Sequence, residues 1–381
     1  MNIPFHRPHI AEAEIDAVAD VLRSGWITMG EKTLEFEKAF CRYLGCRHGL
    51  AVSSATAGLH LALLAAGIGP GDEVLLPAMT FVATAEVVMY LGAVPVMVDS
   101  CRDTHLMDPA DLERKIGPRA RAVIPVHYAG QPCDMDQIRA LADKNGLIVI
   151  EDAAHSLPAW YRGKPAGLLG DIACFSFYAT KTLSTGEGGM VATGNDEWAA
   201  RMGRMRLHGI GRDAWNRYSD RGAWEYDVDI LGYKYNTTDI NAALGLEQLK
   251  KLEWMWRVRE NIAQRYTDAF GGLEGVLPYI VKGDRVSAWH LYPLRLDLDA
   301  LAIGRDQFIV EMKSRGVGTS VHFIPLYRFS YYRERGYRQE DFPAAEWIFQ
   351  RIVSLPIYPG MESQTPHVID SVMDIVKKYR R

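Results

Sequence analysis

Leu147-Ile148-Val149-Ile150-Glu151-Asp152-Ala153-Ala154-His155 is followed, after a loop, by Cys174-Phe175-Ser176-Phe177-Tyr178-Ala179-Thr180-Lys181 and then by Gly186-Glu187-Gly188-Gly189-Met190-Val191. Short all-apolar runs such as these are typical of strands buried on both faces of a parallel sheet. In open parallel sheets, ligands bind beyond the carboxyl ends of the strands. We therefore expect Asp152, His155, Ser176 and Lys181 to converge on one crevice.

Asp152 and Lys181 suggest a specific chemistry for this crevice. Pyridoxal phosphate (PLP) enzymes hold their cofactor through a lysine and place a carboxylate on the pyridinium nitrogen. The carboxylate keeps that nitrogen protonated, because a nearby opposite charge favours the charged form. Taken singly, Asp152 could cap a helix and Lys181 could be a solvated surface lysine. Because each stands at a predicted strand end, the pair favours the PLP interpretation.

Three motifs, Glu151–Ser156, Phe175–Phe177 and Lys181 followed by Gly186–Gly189, resemble the core of the DegT/DnrJ/StrS family, and the likeness runs from Gly25 to Pro356. Members of this family are PLP-dependent aminotransferases that act on nucleotide-linked keto-sugars. The resemblance implies an α/β fold of the fold type I aminotransferase class. That architecture has a mostly parallel central sheet between helices and a smaller α+β C-terminal domain, here expected at residues 1–250 and 251–381.

Within that family, the chain particularly resembles the UDP-4-amino-4-deoxy-L-arabinose–oxoglutarate aminotransferases. The segments Pro125–Gly130 and Gly232–Asn236 share this likeness. The resemblance implies glutamate as the amino donor and a nucleotide-linked keto-sugar as the acceptor. It favours UDP and a 4-keto sugar, and a 4-keto-6-deoxyhexose is equally compatible with the sequence.

Composition excludes several classes of partner and site. The 381 residues carry 43 basic and 47 acidic side chains, a net charge of −4, so neither nucleic acid nor an anionic membrane is an expected partner. The five cysteines are scattered, which predicts reduced thiols and no zinc or other metal site. The N-terminus has no apolar targeting core, and no apolar run approaches the ~20 residues that cross a bilayer. We expect a soluble, cytoplasmic protein.

Strand and helix patterns alternate along the chain, which predicts βαβ units. Strands are predicted at Glu73–Pro77, Val94–Asp99, Ala122–Val126, Ala288–Leu296 and Thr319–Phe323. Helices are predicted at Glu14–Leu22, Ala57–Ala66, Asp108–Lys115, Met135–Asn145, Glu197–Arg206, Asp239–Phe270, Asp306–Ser314 and Pro366–Tyr379. The intervening stretch Ile210–Leu231 is rich in aromatic and charged residues, and a long loop of this composition suggests function rather than disorder.

A phosphate site is predicted where the strand Leu50–Val52 gives way to small residues and a helix. Free N–H groups at a helix start attract anions, so Ala55 and Thr56 are candidates to bind the cofactor phosphate. Ser176 is a further candidate phosphate ligand, with assistance from Ser53 or Ser54. The alternative is an ordinary Ser/Thr cap of the helix.

The resemblance implies further cofactor contacts. Phe81 follows a strand end, and in the family an aromatic residue at this position stacks on the pyridine ring; taken alone it would be a core residue. His155 would stack on the ring, or hydrogen-bond to the ring or to Asp152. The asparagine matching Asn236 reaches the cofactor phosphate of the neighbouring subunit, which implies a homodimer with shared active sites. The alternative is that Asn236 only caps the following helix.

The resemblance also places three residues near the sugar nucleotide: Thr28, Lys234 and His322. For Thr28 the alternative is a plain turn, and for His322 it is a structural histidine. Some relatives remove a sugar hydroxyl and have histidine at the position of Lys181, so the lysine here disfavours that reaction. A non-catalytic regulator would not need Lys181, Asp152 and the phosphate loop together, and another PLP reaction such as racemisation stays open.

Overall fold

The computed structural model of the chain describes residues 2–210 and 227–381. A seven-stranded sheet lies at its centre, with the strand order β1-β9-β8-β5-β4-β2-β3. Its strands are β1 (His48–Val52), β2 (Glu73–Pro77), β3 (Val94–Val98), β4 (Ala120–Val123), β5 (Ile148–Asp152), β8 (Ile172–Ser176) and β9 (Gly189–Thr193). Strand β9 pairs antiparallel with both of its neighbours and the other pairs are parallel, which confirms the predicted mostly parallel sheet.

Both faces of this sheet are covered, which explains the all-apolar strands. Successive side chains of a strand point to opposite faces, so Cys174 packs in one hydrophobic core and Phe175 in the other. Helix α3 contributes to the first core and α2 to the second. The helices of this part are α1 (Glu12–Ser24), α2 (Glu31–Leu44), α3 (Ala55–Ala65), α4 (Ala83–Met89), α5 (Pro109–Lys115), α6 (Met135–Asn145) and α7 (Asp196–Met205).

The single helix predicted over Asp239–Phe270 is two helices, α8 (Asp239–Lys250) and α9 (Leu252–Phe270). The break falls at Lys251, whose backbone leaves the helical region at φ −108° and ψ 8°. The Lys251 ammonium pairs with Glu14 of α1 and lies 2.9 Å from His9 Nδ1. These tertiary contacts hold the break, and helical periodicity carries no signal for it.

The C-terminal part has its own three-stranded sheet and its own hydrophobic core. The strands are β10 (Val276–Leu277), β12 (Tyr292–Leu296) and β13 (Ile352–Leu355), and the helices are α10 (Arg305–Ser314), α11 (Ser330–Arg333), α12 (Pro343–Arg351) and α13 (Thr365–Tyr379). A third, small sheet joins β6 (Trp160–Tyr161), β7 (Lys164–Pro165) and β11 (Arg285–Val286). The expected α+β region is therefore present.

Two predictions of strands in this part were wrong in detail. The strand predicted from Ala288 begins only at Tyr292, because residues 288–291 bond instead to the backbone of Ala129 and Gly130. No strand forms over 319–323, where Ser320 makes one isolated bridge to Ser354. The carbonyl of His322 accepts from the Tyr128 hydroxyl at 2.6 Å, so it is not available to a strand ladder.

Most of the predicted loop Ile210–Leu231 lies outside the described residues, which resume at Asp227. Within the described ranges, no helix combines the length and the apolar character that crossing a membrane requires.

Candidate active site

Asp152 is the last residue of β5 and is buried at the carboxyl edge of the sheet. Its Oδ2 accepts the Thr84 hydroxyl at 3.0 Å and its Oδ1 accepts the Ala154 N–H at 3.2 Å. Burial raises the pKa of Asp152, while the two hydrogen bonds and the nearby Lys181 oppose that rise. The carboxylate is thus held in one orientation in a site where a cationic ligand would keep it charged.

Lys181 lies in the turn that follows β8, where its N–H bonds the Tyr178 carbonyl at 2.9 Å. The same turn is held from α8, because the Asn241 amide donates to the Thr185 carbonyl at 2.8 Å. Desolvation lowers the pKa of Lys181 from 10.5 to about 8, and the Asp152 carboxylate offsets part of that fall. A lysine with a lowered pKa has more of the neutral amine, the form that attacks a carbonyl carbon.

A row of residues across three strands connects Ser176 to the start of α3. Ser176 of β8 pairs with Gly189 of β9, and Gly189 pairs with Val52 of β1. A Cβ at Gly189 would lie 2.7 Å from the Ser54 carbonyl carbon and 2.8 Å from the Ala55 nitrogen. Only glycine allows β9 to approach the start of α3 this closely, so Ser176 and the helix start lie in one region.

A serine caps the start of α3, as the alternative to a phosphate site predicted for this segment. The Ser54 hydroxyl accepts the Ala57 N–H at 3.0 Å, and α3 begins at Ala55. The cap uses Ser54, so the N–H groups of Ala55 and Thr56 stand at the open end of the helix. Backbone N–H groups in this position bind anions well, because they add to the positive end of the helix dipole.

His155 follows Asp152 in a turn and not in a helix. Its buried ring stacks on Phe323 at 5.7 Å between centroids and lies 4.3 Å from the ring of His290. Burial and the nearby Lys181 lower the pKa of His155 well below its usual value, so the ring is neutral near pH 7. The site therefore has a neutral, aromatic wall beside the Asp152 carboxylate.

His322 lies on the same side, and burial together with Lys181 lowers its pKa to about 4. Its Nδ1 lies 2.8 Å from the Ser354 hydroxyl, and its ring stacks on Phe5 at 5.5 Å. Phe81 is 58% exposed, and its ring lies 6.1 Å from Phe323. Hence His155, Phe81 and His322 gather around Phe323, and Lys181 is near enough to Asp152, His155 and His322 to influence the pKa of each.

Thr28, Lys234 and Asn236 form a second group. Asp239 donates its N–H to the Thr28 carbonyl at 3.0 Å, and the Lys234 ammonium donates to Asn236 Oδ1 at 2.7 Å. Asn236 also bridges Val52, next to the helix start with the free N–H groups. Within residues 2–210 and 227–381, no hydrogen bond or ring contact joins Thr28 or Lys234 to the turn that contains Lys181.

Three residues of the site were not predicted: Thr84, His290 and Phe323. Thr84 lies three residues after Phe81 on α4, and its hydroxyl orients Asp152. His290 and Phe323 come from the C-terminal part and contact His155 across the seam with the large sheet. Each belongs to a segment that the family resemblance includes, and no spacing rule relates them to Asp152.

The residues present fit PLP in three independent respects. An anion-binding helix start and Ser176 suit the phosphate, and Asp152 offers an oriented carboxylate to a pyridinium nitrogen. Lys181 is a desolvated amine that Asp152 influences electrostatically. This set of donors, acceptors and charges would hold PLP without any metal ion.

Comparisons with known proteins agree with this geometry. Residues 8–376 match the DegT/DnrJ/EryC1/StrS aminotransferase family. The chain is 46% identical to the spore coat polysaccharide biosynthesis protein SpsC of Bacillus subtilis, over 98% of this chain and 97% of that protein. It is 49% identical to the uncharacterized protein MJ1066 of Methanocaldococcus jannaschii, over 99% of this chain and 98% of that one.

A solved structure extends the similarity to the fold. The putative sugar aminotransferase Spr1654 of Streptococcus pneumoniae, in its PLP form, superposes with a TM-score of 0.92 at 34% identity, covering 99% of each chain. The same protein has been solved in a PMP form, with a TM-score of 0.93. These similarities confirm the fold type I architecture and PLP as the cofactor. The chain belongs to the DegT/DnrJ/EryC1/StrS aminotransferase family and is a PLP-dependent sugar aminotransferase.

Proposed function

We propose that the chain moves an amino group from glutamate to a nucleotide-linked keto-sugar, with a UDP-linked 4-keto sugar as the preferred acceptor, for surface polysaccharide or lipid modification. The observation that carries this proposal is the pair of Asp152, the last residue of β5, and Lys181, in the turn that follows β8, with the pKa of the lysine lowered to about 8. The name of SpsC, a spore coat polysaccharide biosynthesis protein, supports a role in polysaccharide formation.

Bound PLP would supply an electron sink for the bonds around the donor α-carbon. In the proposed mechanism Lys181 Nζ takes the proton from that carbon in the first half-reaction and delivers a proton to the aminated sugar carbon in the second. Asp152 would hold the charge of the cofactor nitrogen, and Thr84 and the Ala154 N–H would keep it aligned. His155 and Phe323 would exclude water on one side of the site.

The remaining assignments are part of the same proposal. Ser176, Ala55 and Thr56 would bind the cofactor phosphate, and Phe81 would stack on the pyridine ring. Their support is the approach of β9 to the start of α3 and the exposed face of Phe81.

The proposed acceptor site uses Thr28, Lys234 and His322. His322 is the member that lies beside the lysine centre, by which we mean the site around Lys181 and Asp152. Lys181 contributes to the fall in the pKa of His322. Thr28 is bonded to Asp239 at the start of α8, and Lys234 is bonded to Asn236, which bridges Val52 beside the proposed phosphate site. This region would hold the nucleotide portion of a long substrate.

We also propose a homodimer in which Asn236 of the partner subunit completes each phosphate site. Exposed apolar side chains on α1 and the following turn support such an interface, since Ile15, Leu22 and Ile27 are 52%, 55% and 50% exposed. Mixing inactive Lys181→Ala and Asn236→Ala subunits should restore about a quarter to a half of the activity if sites are shared. Sedimentation as a monomer would contradict the shared site.

Two further assignments accompany the proposal. Residues 1–250 and 251–381 would form separate domains, which the separate hydrophobic core of the C-terminal sheet supports. All five cysteines are free thiols, as expected for a protein of the cytoplasm.

A substrate screen tests the proposal directly. Purified holoenzyme is mixed with glutamate and with UDP-, dTDP- or GDP-linked keto-sugars, and 2-oxoglutarate and the amino sugar are quantified. We expect turnover that is fastest with a UDP-linked 4-keto sugar. Lys181→Ala should lower the rate at least ~10³-fold, because proton transfer loses its base. Equal turnover by Lys181→Ala, or transfer only to non-sugar ketones, would contradict the assignment.

A further inference from the structure

A cavity of about 370 Å³ lies outside the lysine centre, in the segment that follows Phe323. Its lining includes Tyr327, Arg328, Arg333, Tyr337, Arg338 and Glu340. The segment is built from short helical turns, among them α11, that immediately precede α12 in the chain. None of the residues of this lining belongs to the aminotransferase chemistry described above.

The cavity extends away from the lysine centre along the outer strands of the large sheet. Leu326 N donates to the Ala78 carbonyl, just beyond the carboxyl end of β2, at 2.9 Å. Tyr337 donates its hydroxyl to Pro95, near the start of β3, at 2.6 Å. Pro95 pairs with Val74 near the start of β2, so these two anchors are about 13 Å apart along the strands. Strands β4 and β2 separate this edge from β5 and β8.

The floor of the cavity is fixed by contacts within the protein. Tyr327 stacks on Phe342 at 5.1 Å and donates its hydroxyl to Glu346 Oε2 at 3.1 Å. Arg328 Nε donates to the same carboxylate oxygen at 2.9 Å. Because Glu346 is buried and neutralises Arg328, the floor is rigid and already satisfied.

The rim differs, because its cations are not paired. Arg333 and Arg338 are exposed, and neither forms an ion pair with any carboxylate in the described part of the chain. Arg335 of the same segment is folded back, with its guanidinium 3.5 Å from the Tyr331 ring centroid and a hydrogen bond to the Tyr331 carbonyl. The lining thus holds three arginines and one glutamate, in a chain whose net charge is −4.

Two uncommitted arginines over a rigid polar floor favour a ligand with several anionic oxygens. The guanidinium fork matches phosphate geometry and binds it through paired charge-assisted hydrogen bonds. A concave positive site also concentrates anions locally. The volume is within the range of small-molecule pockets, roughly 300–1,000 Å³.

We propose that this cavity is a second anion site, which binds the phosphate or pyrophosphate group of a small soluble molecule through Arg333 and Arg338. The site is separate from the cofactor and sugar sites, and the proposal does not depend on which keto-sugar the enzyme aminates.

Calorimetric titration of the PLP-loaded enzyme with inorganic pyrophosphate tests this site. We expect one pyrophosphate per protomer, with affinity that falls as salt rises. The double variant Arg333→Gln/Arg338→Gln should weaken binding at least tenfold. The control Arg335→Gln removes one positive charge from the same segment without touching the lining, and it should change the affinity less than twofold. Circular dichroism verifies the fold, and the glutamate half-reaction should keep its rate in both variants.

Two further arms identify the source of the phosphate group. UDP should compete with pyrophosphate, because it carries the same group, and phosphatidylglycerol vesicles should not sediment with the enzyme. The proposal is overturned if the double variant binds pyrophosphate as the wild type does, or if Arg335→Gln weakens binding equally. Sedimentation with vesicles in the absence of pyrophosphate binding would likewise overturn it.

Discussion

Glu151 and Asp152 are consecutive residues of β5, and their carboxylates lie on opposite sides of the strand. The Glu151 carboxylate accepts three backbone N–H groups of residues 167–170, at 2.6–2.8 Å, and lies 2.8 Å from His127 Nε2. Asp152 accepts one hydroxyl and one N–H from within the chain. Both groups are buried, at 0% and 6% exposure.

The two carboxylates differ in whether contacts within the protein use all of their hydrogen-bonding capacity. An ionised carboxylate has about four acceptor sites, and Glu151 has four donors around it. The backbone of residues 167–170 and His127 therefore occupy all of the hydrogen-bond acceptor sites of Glu151. Asp152 keeps acceptor capacity at the edge of the sheet where ligands bind, and it faces Lys181. Position in the strand decides which acid is which, although the two residues are neighbours in sequence.

Asp152→Asn tests the functional half of this contrast and should have the largest effect. The amide cannot hold a positive charge on the cofactor nitrogen, so the transamination rate should fall roughly 10²–10⁴-fold, a range comparable to the loss of a general acid or base. Stopped-flow measurement of the glutamate half-reaction gives the rate, and thermal melting should show a fold close to wild type. A rate within threefold of wild type would break the contrast.

Glu151→Gln tests the structural half. The amide keeps the shape but places an N–H₂ group against N–H donors, so the free energy of unfolding should fall by about 2–4 kcal/mol. Denaturant unfolding of the apoenzyme measures the loss. The surviving folded enzyme should keep its rate within a few-fold. A large loss of rate without a loss of stability would show that the two acids share one role.

Replacing Lys181, the cation near Asp152, tests the contrast through the pH dependence of the free energy of unfolding. The pKa of Lys181 falls from 10.5 to about 8 on folding, so the folded state resists the charge and stability rises with pH between these two values. Apo Lys181→Met, which has no charge to bury, should therefore be more stable than apo wild type by roughly 3 kcal/mol at pH 7. The difference should shrink as pH rises from 8 to 10.5. A constant difference across pH 7–10.5 in denaturant unfolding would contradict a buried ammonium.

Thr84→Val should have the smallest effect, because it removes one of the two donors that Asp152 has. The pKa of Asp152 should rise further, which moves the acid limb of the rate profile to higher pH and lowers the rate several-fold, about 1 kcal/mol. Thr80→Val is the matched control, since the Thr80 hydroxyl lies 2.9 Å from that of Thr84 and makes no bond to Asp152. The same acid limb in Thr84→Val and wild type would show that Thr84 does not orient the acid.

Much of the sheet was predictable, because buried parallel strands have a simple signature. All-apolar runs ending in polar clusters located β5 and β8, and with them Asp152 and Lys181. Glycine stops such as Gly25, which adopts φ 75° after α1, located helix ends. The failures occurred where backbone groups bond outside regular elements, as at Lys251 and over residues 319–323.

The active-site wall was less predictable. Phe323 and His290 contact His155 from segments more than 130 residues away in sequence, and Thr84 reaches Asp152 across 68 residues. No local pattern relates side chains that meet only when sheet and C-terminal part pack together. The cavity between Tyr327 and Glu340 also forms only in the folded chain. The amino-acid composition of its turns indicates no more than a charged loop.

The sequence by itself located the strand ends, Lys181 and the acid at the carboxyl edge, because strands buried on both faces have a recognisable local pattern of apolar residues. Tertiary structure alone decided which of two adjacent acids is saturated with hydrogen bonds and which stays available. The physical reason is that hydrogen-bond donors are supplied by distant backbone and hydroxyl groups, and only the folded chain brings residues 167–170 to Glu151 and Thr84 to Asp152.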